Sequence, residues 1–220
     1  MKRSYRNLII GCTAGLLITT GASAAEGKAG DMVNITAGLP YVDVDYHGKS
    51  VRIERNQDTK NRLTNSFSQT SRKCPPFCVQ PMNVAPGVTT VGEIELLDFV
   101  VTKVKRGDGI LMDSRVPSFY KKGTIPGSVN MPFTIFTKDR TDPELSDALK
   151  TIGVVEKDIG VYDFTNAKDV LMWCNGAWCG QSPRAIKGLL SLGVPADKIS
   201  WYRGGMQMWQ VLGMKTVAGK

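Results

Sequence analysis

Long apolar runs are missing from the sequence after its first two dozen residues, and so is any dense cluster of basic residues. Without an apolar run of about 20 residues, no membrane span is predicted in the rest of the chain. The formal net charge is +8, but the basic residues are scattered and not interleaved with aromatic ones, so no nucleic-acid partner is predicted. Histidine occurs once, as His47 beside a predicted turn, and is interpreted as a solvated residue rather than a catalytic one.

The N-terminus has the pattern of a cleaved secretory signal. Basic residues precede an apolar stretch over residues 8–20, and small residues follow at Ala22 and Ala24. We therefore predict a signal peptide over 1–24 and export to the periplasm. Cys12 lies ahead of most of the apolar stretch, which disfavours a lipoprotein anchor. Cleavage would remove three basic and no acidic side chains and lower the net charge from +8 to +5.

The four remaining cysteines fall into two close pairs, Cys74 with Cys78 and Cys174 with Cys179. An even number of cysteines in an exported protein favours structural disulfides. However, a bridge across so short a loop removes little entropy from the unfolded chain, so redox or sulfur chemistry remains an alternative. A zinc site built from four sulfurs is disfavoured because neither spacing is the common two-residue one. We predict no metal and no cofactor.

The segment from 25 to 88 is predicted to be an extension of a larger domain. Residues 41–54 alternate apolar and polar side chains around His47-Gly48, which indicates a β-hairpin. Residues 55–73 are polar and irregular. The stretch "SRKCPPFCVQPMNVAPGV" contains four prolines and is therefore predicted to be a loop.

Residues 89–217 alternate strand and helix patterns, which predicts an α/β fold with a central parallel sheet flanked by helices. "GILMDSR", "KDVLMWC" and "KISWYRGG" are predicted strands. "TDPELSDALKTIGV" is a predicted helix with Asp142 as N-cap and Pro143 in the first turn. "SPRAIKGLLSLGV" and "GMQMWQVLGM" are predicted helices.

Residues 90–217 resemble the rhodanese family of sulfurtransferases. Four stretches carry the resemblance, in the order found in the family: "MDSRVPSFYKKGTIPGSVNMPF", "VLMWC", "SPRAIKGLLSLG" and "YRGGMQMWQVLGM". The resemblance implies a catalytic cysteine at Cys174 that carries sulfur as a persulfide. The loop after Cys174 is about two residues longer than usual and holds no arginine, the nearest being Arg184. The missing arginine disfavours a phosphatase with the same fold.

The resemblance also implies an active-site loop whose backbone N–H groups surround the sulfur. The residues predicted to bind substrate are Asn175, Gly176, Ala177, Trp178, Gly180, Gln181, Ser182 and Arg184. Ser182 is predicted to cap the following helix, with Pro183 at its first position. Arg184 would anchor an anionic donor or lie solvated on the helix, and Trp178 would wall the pocket or pack as an ordinary aromatic residue.

Cys179 is a candidate second catalytic residue. It would act as a resolving thiol that forms a disulfide with Cys174, or it would be an incidental loop cysteine. Cys74 and Cys78 would form a second redox pair or a local structural bridge. By resemblance, Asp113 and Arg115 are interpreted as a structural pair. Gly204, Gly205 and Trp209 are expected to pack near the loop.

The sequence therefore predicts a periplasmic sulfurtransferase that moves sulfane sulfur from an anionic donor such as thiosulfate to a thiol or other nucleophile. One alternative is a thiol–disulfide or oxyanion redox module, with selenite or tellurite as substrate and a thioredoxin-like protein or a cytochrome as partner. Another is a non-catalytic sulfur-carrier subunit that docks through residues 25–88.

Overall fold

The computed structural model describes residues 32–220. The predicted signal peptide over 1–24, Cys12 and the start of the predicted extension lie outside the described residues. The helices and strands, in chain order, are β1 (Tyr41–Tyr46), β2 (Lys49–Glu54), β3 (Thr89–Val91), α1 (Glu93–Phe99), β4 (Gly109–Asp113), α2 (Pro117–Lys122), β5 (Ser128–Asn130), α3 (Pro143–Thr151), β6 (Val155–Asp158), β7 (Val161–Asp163), β8 (Asp169–Trp173), α4 (Gln181–Leu192), β9 (Ile199–Tyr202) and α5 (Gly205–Val211).

The main sheet of the described residues has five parallel strands in the order β3-β9-β8-β4-β5, which confirms the predicted central parallel sheet. The central strand β8 is apolar along almost its whole length, as expected for a parallel strand covered on both faces. Its side chains alternate between the two faces: Val170 and Met172 join one core cluster, and Leu171 and Trp173 join the other. Cys174 follows directly at the carboxyl end of this strand.

Each face of the sheet is covered by helices. The first cluster contains Leu149 of α3 and Ile186 of α4. The second contains Leu96 of α1 and Trp209 of α5. Both helix-covered layers were expected from the alternation of strand and helix patterns. Among the described residues, no helix is long and apolar enough to cross a membrane.

The predicted hairpin is present as the antiparallel pair β1–β2. His47 and Gly48 form its turn, both with positive φ, and Gly48 adopts this conformation without steric cost. Val44 and Ile53 of the hairpin are buried in the same cluster as Leu96. The hairpin therefore completes the core on one face of the sheet.

Strand β3, helix α2 and a second hairpin were not predicted from the sequence. Strand β3 precedes α1 and pairs with β9 at the edge of the sheet. After α1 the chain continues as one π-helical segment, Val100–Val104. A second hairpin, β6–β7, stands apart from the main sheet, and its side chains are mostly exposed. A strand that buries little apolar surface gives only a weak alternating pattern in the sequence.

Asp113 and Arg115 form a buried ion pair at the end of β4, in agreement with the structural role predicted for them. The Arg115 guanidinium donates to both carboxylate oxygens of Asp113, at 2.8 and 2.6 Å. Thr124 donates a further hydrogen bond to the Asp113 carboxylate. The side-chain amide of Asn130 donates to the backbone carbonyls of Asp113 and Arg115 and so fastens the turn. Together these bonds fix the end of β4 and the turn that follows it.

Candidate active site at the end of the central strand

Cys174 lies between the carboxyl end of β8 and the start of α4, and its side chain is 2% exposed. The Ser182 hydroxyl donates a hydrogen bond to the Cys174 sulfur at 3.0 Å. The backbone N–H groups of Ser182 and Gly176 and the Cys179 thiol lie near enough to this sulfur to lower its pKa, and the Cys174 thiol reaches the Cys179 carbonyl at 3.5 Å. The loop therefore surrounds one sulfur atom with several hydrogen-bond donors, as an anion-binding nest does.

These donors change the acidity of Cys174. Burial alone would raise the pKa of the thiol, because the charged form loses its hydration. The hydrogen bonds from Cys179, from Ser182 and from the two backbone N–H groups outweigh burial and lower the pKa of Cys174 to about 7. A thiolate is the nucleophilic form of cysteine, so Cys174 is suited to attack a sulfur donor near neutral pH.

The pKa of the Cys179 thiol is shifted in the opposite direction. Its hydrogen bond to Cys174 raises the pKa of the Cys179 thiol, and burial raises it further. The side-chain amide of Asn175 approaches the Cys179 sulfur at 3.9 Å. When this pair of thiols loses its first proton, Cys174 therefore becomes the thiolate and Cys179 keeps its proton. Cys179 is suited to stabilise a charged Cys174. After losing its own proton, it can attack Cys174 only when Cys174 carries a transferred sulfur, which then leaves as hydrosulfide.

The prediction that Ser182 caps the helix was wrong. Helix α4 begins at Gln181, with Gly180 as N-cap, so Ser182 lies in the first turn and Pro183 follows it there. The Ser182 hydroxyl is buried, donates to Cys174 and accepts a hydrogen bond from the Trp201 indole at 2.9 Å. A capping hydroxyl must accept from a backbone N–H of the first turn, whereas this one is occupied by the sulfur and the indole. Proline is tolerated in the first turn because the N–H that it lacks has no partner within the helix.

Helix α5 holds the back of the loop. The N–H groups of Met206 and Gln207 donate to the backbone carbonyls of Cys174 and Asn175, each at 2.9 Å. Gly205 has a φ of 56°, and a Cβ atom at this position would lie 2.4 Å from the Cys174 carbonyl oxygen. Only glycine fits this approach, and the expected closeness of the Gly204-Gly205 pair to the loop is present.

A cavity of about 280 Å³ adjoins this loop. It is bordered by six of the predicted site residues: Asn175, Trp178, Cys179, Gly180, Gln181 and Arg184. Cys174, Gly176, Ala177 and Ser182 lie outside its lining. The Ala177 carbonyl instead accepts a hydrogen bond from the Gln80 N–H at 2.8 Å. The predicted residues thus divide into a group that surrounds the sulfur and a group that faces the cavity.

Other cavity residues were not identified from the sequence. They are Ser66, Phe67, Arg72, Pro76, Phe77, Phe119 and Phe133. Most of them belong to the segment between the hairpin and β3, far from Cys174 along the chain. The only sequence signal was the proline-rich turn around Cys74 and Cys78, which places an aromatic residue in a constrained loop.

Cys74 and Cys78 are joined in a disulfide, and Cys74 is exposed. The bridge closes the turn that carries Phe77, whose ring meets Trp178 edge-on at 5.6 Å. With these two sulfurs bonded to each other, the four-thiolate arrangement considered for zinc is not formed. In residues 32–220, no group of three or more His, Cys, Asp or Glu side chains is placed to hold a metal ion.

Three solved structures show similarity at low sequence identity. The human single-domain sulfurtransferase TSTD1 is 22% identical and covers 56% of this chain and 96% of its own, with a TM-score of 0.39. A rhodanese-related protein from Thermoplasma volcanium is 22% identical over 59% of this chain and 97% of its own, with a TM-score of 0.37. A thiosulfate sulfurtransferase from Pseudomonas aeruginosa is 18% identical over 60% of this chain and 21% of its own, with a TM-score of 0.39.

Sequence comparison matches a similar share of the chain. The HTH-type transcriptional regulator Rv0324 of Mycobacterium tuberculosis is 26% identical over 113 residues, which are 51% of this chain and 39% of that protein. The chain therefore spans less than two thirds of that relative. The family described as rhodanese-like domain matches residues 98–212, which include β4, β8 and the whole loop around Cys174. Since this match covers more than half of its length, the chain belongs to the rhodanese-like domain family.

Proposed function

We propose that this protein is an exported sulfurtransferase that carries a sulfane sulfur on Cys174. One observation supports this above all: the Cys174 sulfur is enclosed by hydrogen-bond donors that lower its pKa towards neutrality. After sulfur has been transferred, the negative charge lies on the outer sulfur of the persulfide, which is bonded to the Cys174 sulfur. The same donors can then stabilise this persulfide anion.

The reaction proceeds in two steps. The Cys174 thiolate attacks the outer sulfur of a donor such as thiosulfate, the donor's sulfur–sulfur bond breaks, and sulfite leaves with the electron pair. Cys174 then carries a persulfide. An acceptor thiolate, or another nucleophile, attacks the outer sulfur of this persulfide and releases the Cys174 thiolate.

The contact between the two thiols favours a second candidate function. The Cys179 thiolate can attack the inner sulfur of the Cys174 persulfide, release hydrosulfide and leave a Cys174–Cys179 disulfide. A dithiol reductant would be needed to reopen that bond, and a thioredoxin-like protein or a cytochrome-linked reductant would be the partner. In this redox module, which includes the selenite and tellurite alternatives, turnover depends on Cys179.

Intact mass measurement tests the proposal. After incubation with thiosulfate, we expect the wild-type protein to gain the mass of one sulfur atom, and Cys174→Ser to gain none. Absence of any gain in the wild type would contradict the sulfurtransferase function. A gain without turnover to any thiol or cyanide acceptor would favour the non-catalytic carrier instead.

Cys179→Ser separates the two candidates. Full sulfur transfer by this variant would support the simple sulfurtransferase and exclude the redox module. Loss of turnover with retention of the persulfide would support the redox module. Export is tested separately by sequencing the N-terminus of the protein from the producing cell, where we expect cleavage after Ala24.

A further inference from the structure

The Ser182 hydroxyl lies in the interior of the protein, between an indole and a sulfur. Ser182 is fully buried, and Trp201 is 1% exposed. The Trp201 indole N–H donates to Ser182 Oγ at 2.9 Å, and Ser182 Oγ donates to the Cys174 sulfur at 3.0 Å. The three groups therefore form one chain of hydrogen bonds, which runs from the indole through the hydroxyl to the sulfur.

The indole sets the direction of this chain. An indole nitrogen donates a hydrogen bond and cannot accept one, so the Ser182 oxygen is the acceptor in the first bond. A hydroxyl has one proton, which rotates to suit its surroundings and turns away from a donor that points at the oxygen. In Ser182 this proton is left for the Cys174 sulfur. A thiolate at Cys174 accepts the bond, because it has no proton of its own to donate.

Without the indole, another direction would be open to the hydroxyl. A serine in a helix can donate to a backbone carbonyl three or four residues earlier in the chain. For Ser182, in the first turn of α4, these are the carbonyls of Cys179 and Trp178. The Cys179 carbonyl lies 3.5 Å from the Cys174 sulfur and is thus close to the present partner of the hydroxyl. The indole N–H favours the sulfur over this competing acceptor.

The sheet holds the indole in place. Trp201 lies in β9, and in the parallel pairing with β8 it stands opposite Met172, two residues before Cys174. Trp201 and Met172 belong to the core cluster that also contains Ile186 of α4. Packing in this apolar layer requires only the rings of Trp201. The N–H is the one polar group of its side chain, and it is directed at Ser182.

We propose that Trp201 is a positioning residue for Cys174, whose indole N–H keeps the Ser182 hydroxyl directed at the sulfur. The inference rests on the proposed function and deepens it, since it assigns a role in the reaction to a residue that acts through Ser182. A donor that is already in place need not reorient when Cys174 ionises or gains a sulfur atom. The bond from the indole also strengthens the bond that the hydroxyl donates, because hydrogen bonds in a chain polarise one another.

Trp201→Phe tests this role, because it keeps an aromatic ring in the core and removes the N–H. When the Cys174 thiolate is titrated by its ultraviolet absorbance, we expect the midpoint to rise by about 0.5–1 pH unit. Trp173→Phe is the matched control: the buried Trp173 indole also donates to a serine hydroxyl, that of Ser128 at 3.2 Å. The control should keep the wild-type midpoint. No rise in Trp201→Phe, or an equal rise in both variants, would overturn the inference.

The double variant Trp201→Phe/Ser182→Ala tests the route of the effect. If Trp201 acts through the hydroxyl, its replacement should add nothing to the midpoint shift of Ser182→Ala alone. Additive shifts would mean that Trp201 affects the sulfur in another way, and would overturn the inference. Should Trp201→Phe fail to fold, β-(3-benzothienyl)alanine at position 201 keeps the shape of the indole and removes only the N–H. The same rise in midpoint is expected of this variant, and no rise would again contradict the proposal.

The rate of persulfide formation distinguishes positioning from a purely structural role. Because the thiolate is the reactive form, the higher midpoint of Trp201→Phe should slow sulfur uptake from thiosulfate about three- to tenfold at pH 6 and hardly at all at pH 9. An equal loss at both pH values would indicate a structural role and overturn the inference. If the wild type gains no sulfur although the midpoint shifts as expected, the proposed function fails while the control of Cys174 ionisation by Trp201 stands.

Discussion

Two cysteines five positions apart behave differently because their sulfurs have different neighbours. The Cys174 sulfur accepts a hydrogen bond from the Ser182 hydroxyl, and the Cys179 thiol and two backbone N–H groups near it also lower its pKa. Cys179 receives weaker donors and lies beside a sulfur that takes the charge first. At the scale of single residues, hydrogen-bond donors therefore decide which of the two thiols ionises first, since both are buried to a similar degree.

The acidity of Cys174 can be measured directly. We expect the thiolate absorbance in the ultraviolet to rise with a midpoint near pH 7, and persulfide formation to follow the same curve. The sign follows from the lowered pKa: below the midpoint Cys174 is a neutral thiol and unreactive, and above it the thiolate is present. Cys174→Ser should lack this transition. A midpoint near the ordinary cysteine value of about 8.5 would contradict the argument.

Ser182 should control that midpoint. A hydrogen bond to a charged group contributes about 1.5–3 kcal/mol, so we expect Ser182→Ala to raise the pKa of Cys174 by about one to two units. The same absorbance titration measures this shift. Ser191→Ala is a suitable control, because this exposed serine lies on the same helix and donates only to the Lys187 carbonyl. An unchanged midpoint in Ser182→Ala would show that the hydroxyl does not stabilise the thiolate.

At the scale of elements, the loop after β8 is held between the starts of two helices. Helix α4 supplies the N–H and hydroxyl of Ser182, and α5 supplies backbone N–H groups to the loop carbonyls. Gly205 makes the second contact feasible because it has no side chain at the point of closest approach.

Gly205→Ala should therefore destabilise the protein by two effects. A residue with a Cβ at positive φ costs about 1–2 kcal/mol, and forcing the atom against the Cys174 carbonyl adds about 1–3 kcal/mol. Gly48→Ala isolates the first effect, because Gly48 has a φ of 73° and no atom within 4 Å of the added Cβ. Urea unfolding compares the two variants. An equal decrease in the free energy of unfolding in both variants would mean that the contact with the loop does not contribute to stability.

At the scale of the whole molecule, the hairpin before the family region is part of one hydrophobic core. Ile53 is fully buried in the same cluster as Leu96 and Trp209. The segment after the hairpin then continues over the loop that follows β8 and forms the cavity wall. The region outside the family match thus contributes both to the core and to the candidate site.

Ile53→Ala tests this contribution. Because the substitution leaves a cavity in a packed core, we expect the free energy of unfolding to fall by about 2–5 kcal/mol. Val161→Ala is the control: Val161 also lies in a strand but is 54% exposed, and its loss should change stability by no more than about 0.5 kcal/mol. Chemical denaturation of both variants gives the comparison. A small effect of Ile53→Ala would mean that the hairpin is not needed for the core.

The sequence by itself determined the alternation of strands and helices, the central parallel sheet and the position of Cys174 at the end of β8. These features depend on periodic apolar patterns, caps and turns that are encoded within a few neighbouring residues. It did not reveal β3 or the exposed hairpin β6–β7, whose short strands bury too few side chains to give a clear pattern.

Only the tertiary structure decided how the site is completed. The direction of the Ser182 hydroxyl depends on where the Cys174 sulfur and the Trp201 indole lie. Helix α4 begins at Gln181, and Ser182 is not its N-cap as predicted. The cavity depends on the docking of Phe77 and Arg72 on Trp178, which are distant along the chain. Local patterns determine what each segment becomes, whereas contacts between distant segments arise only from packing, and those contacts form the walls of the candidate site.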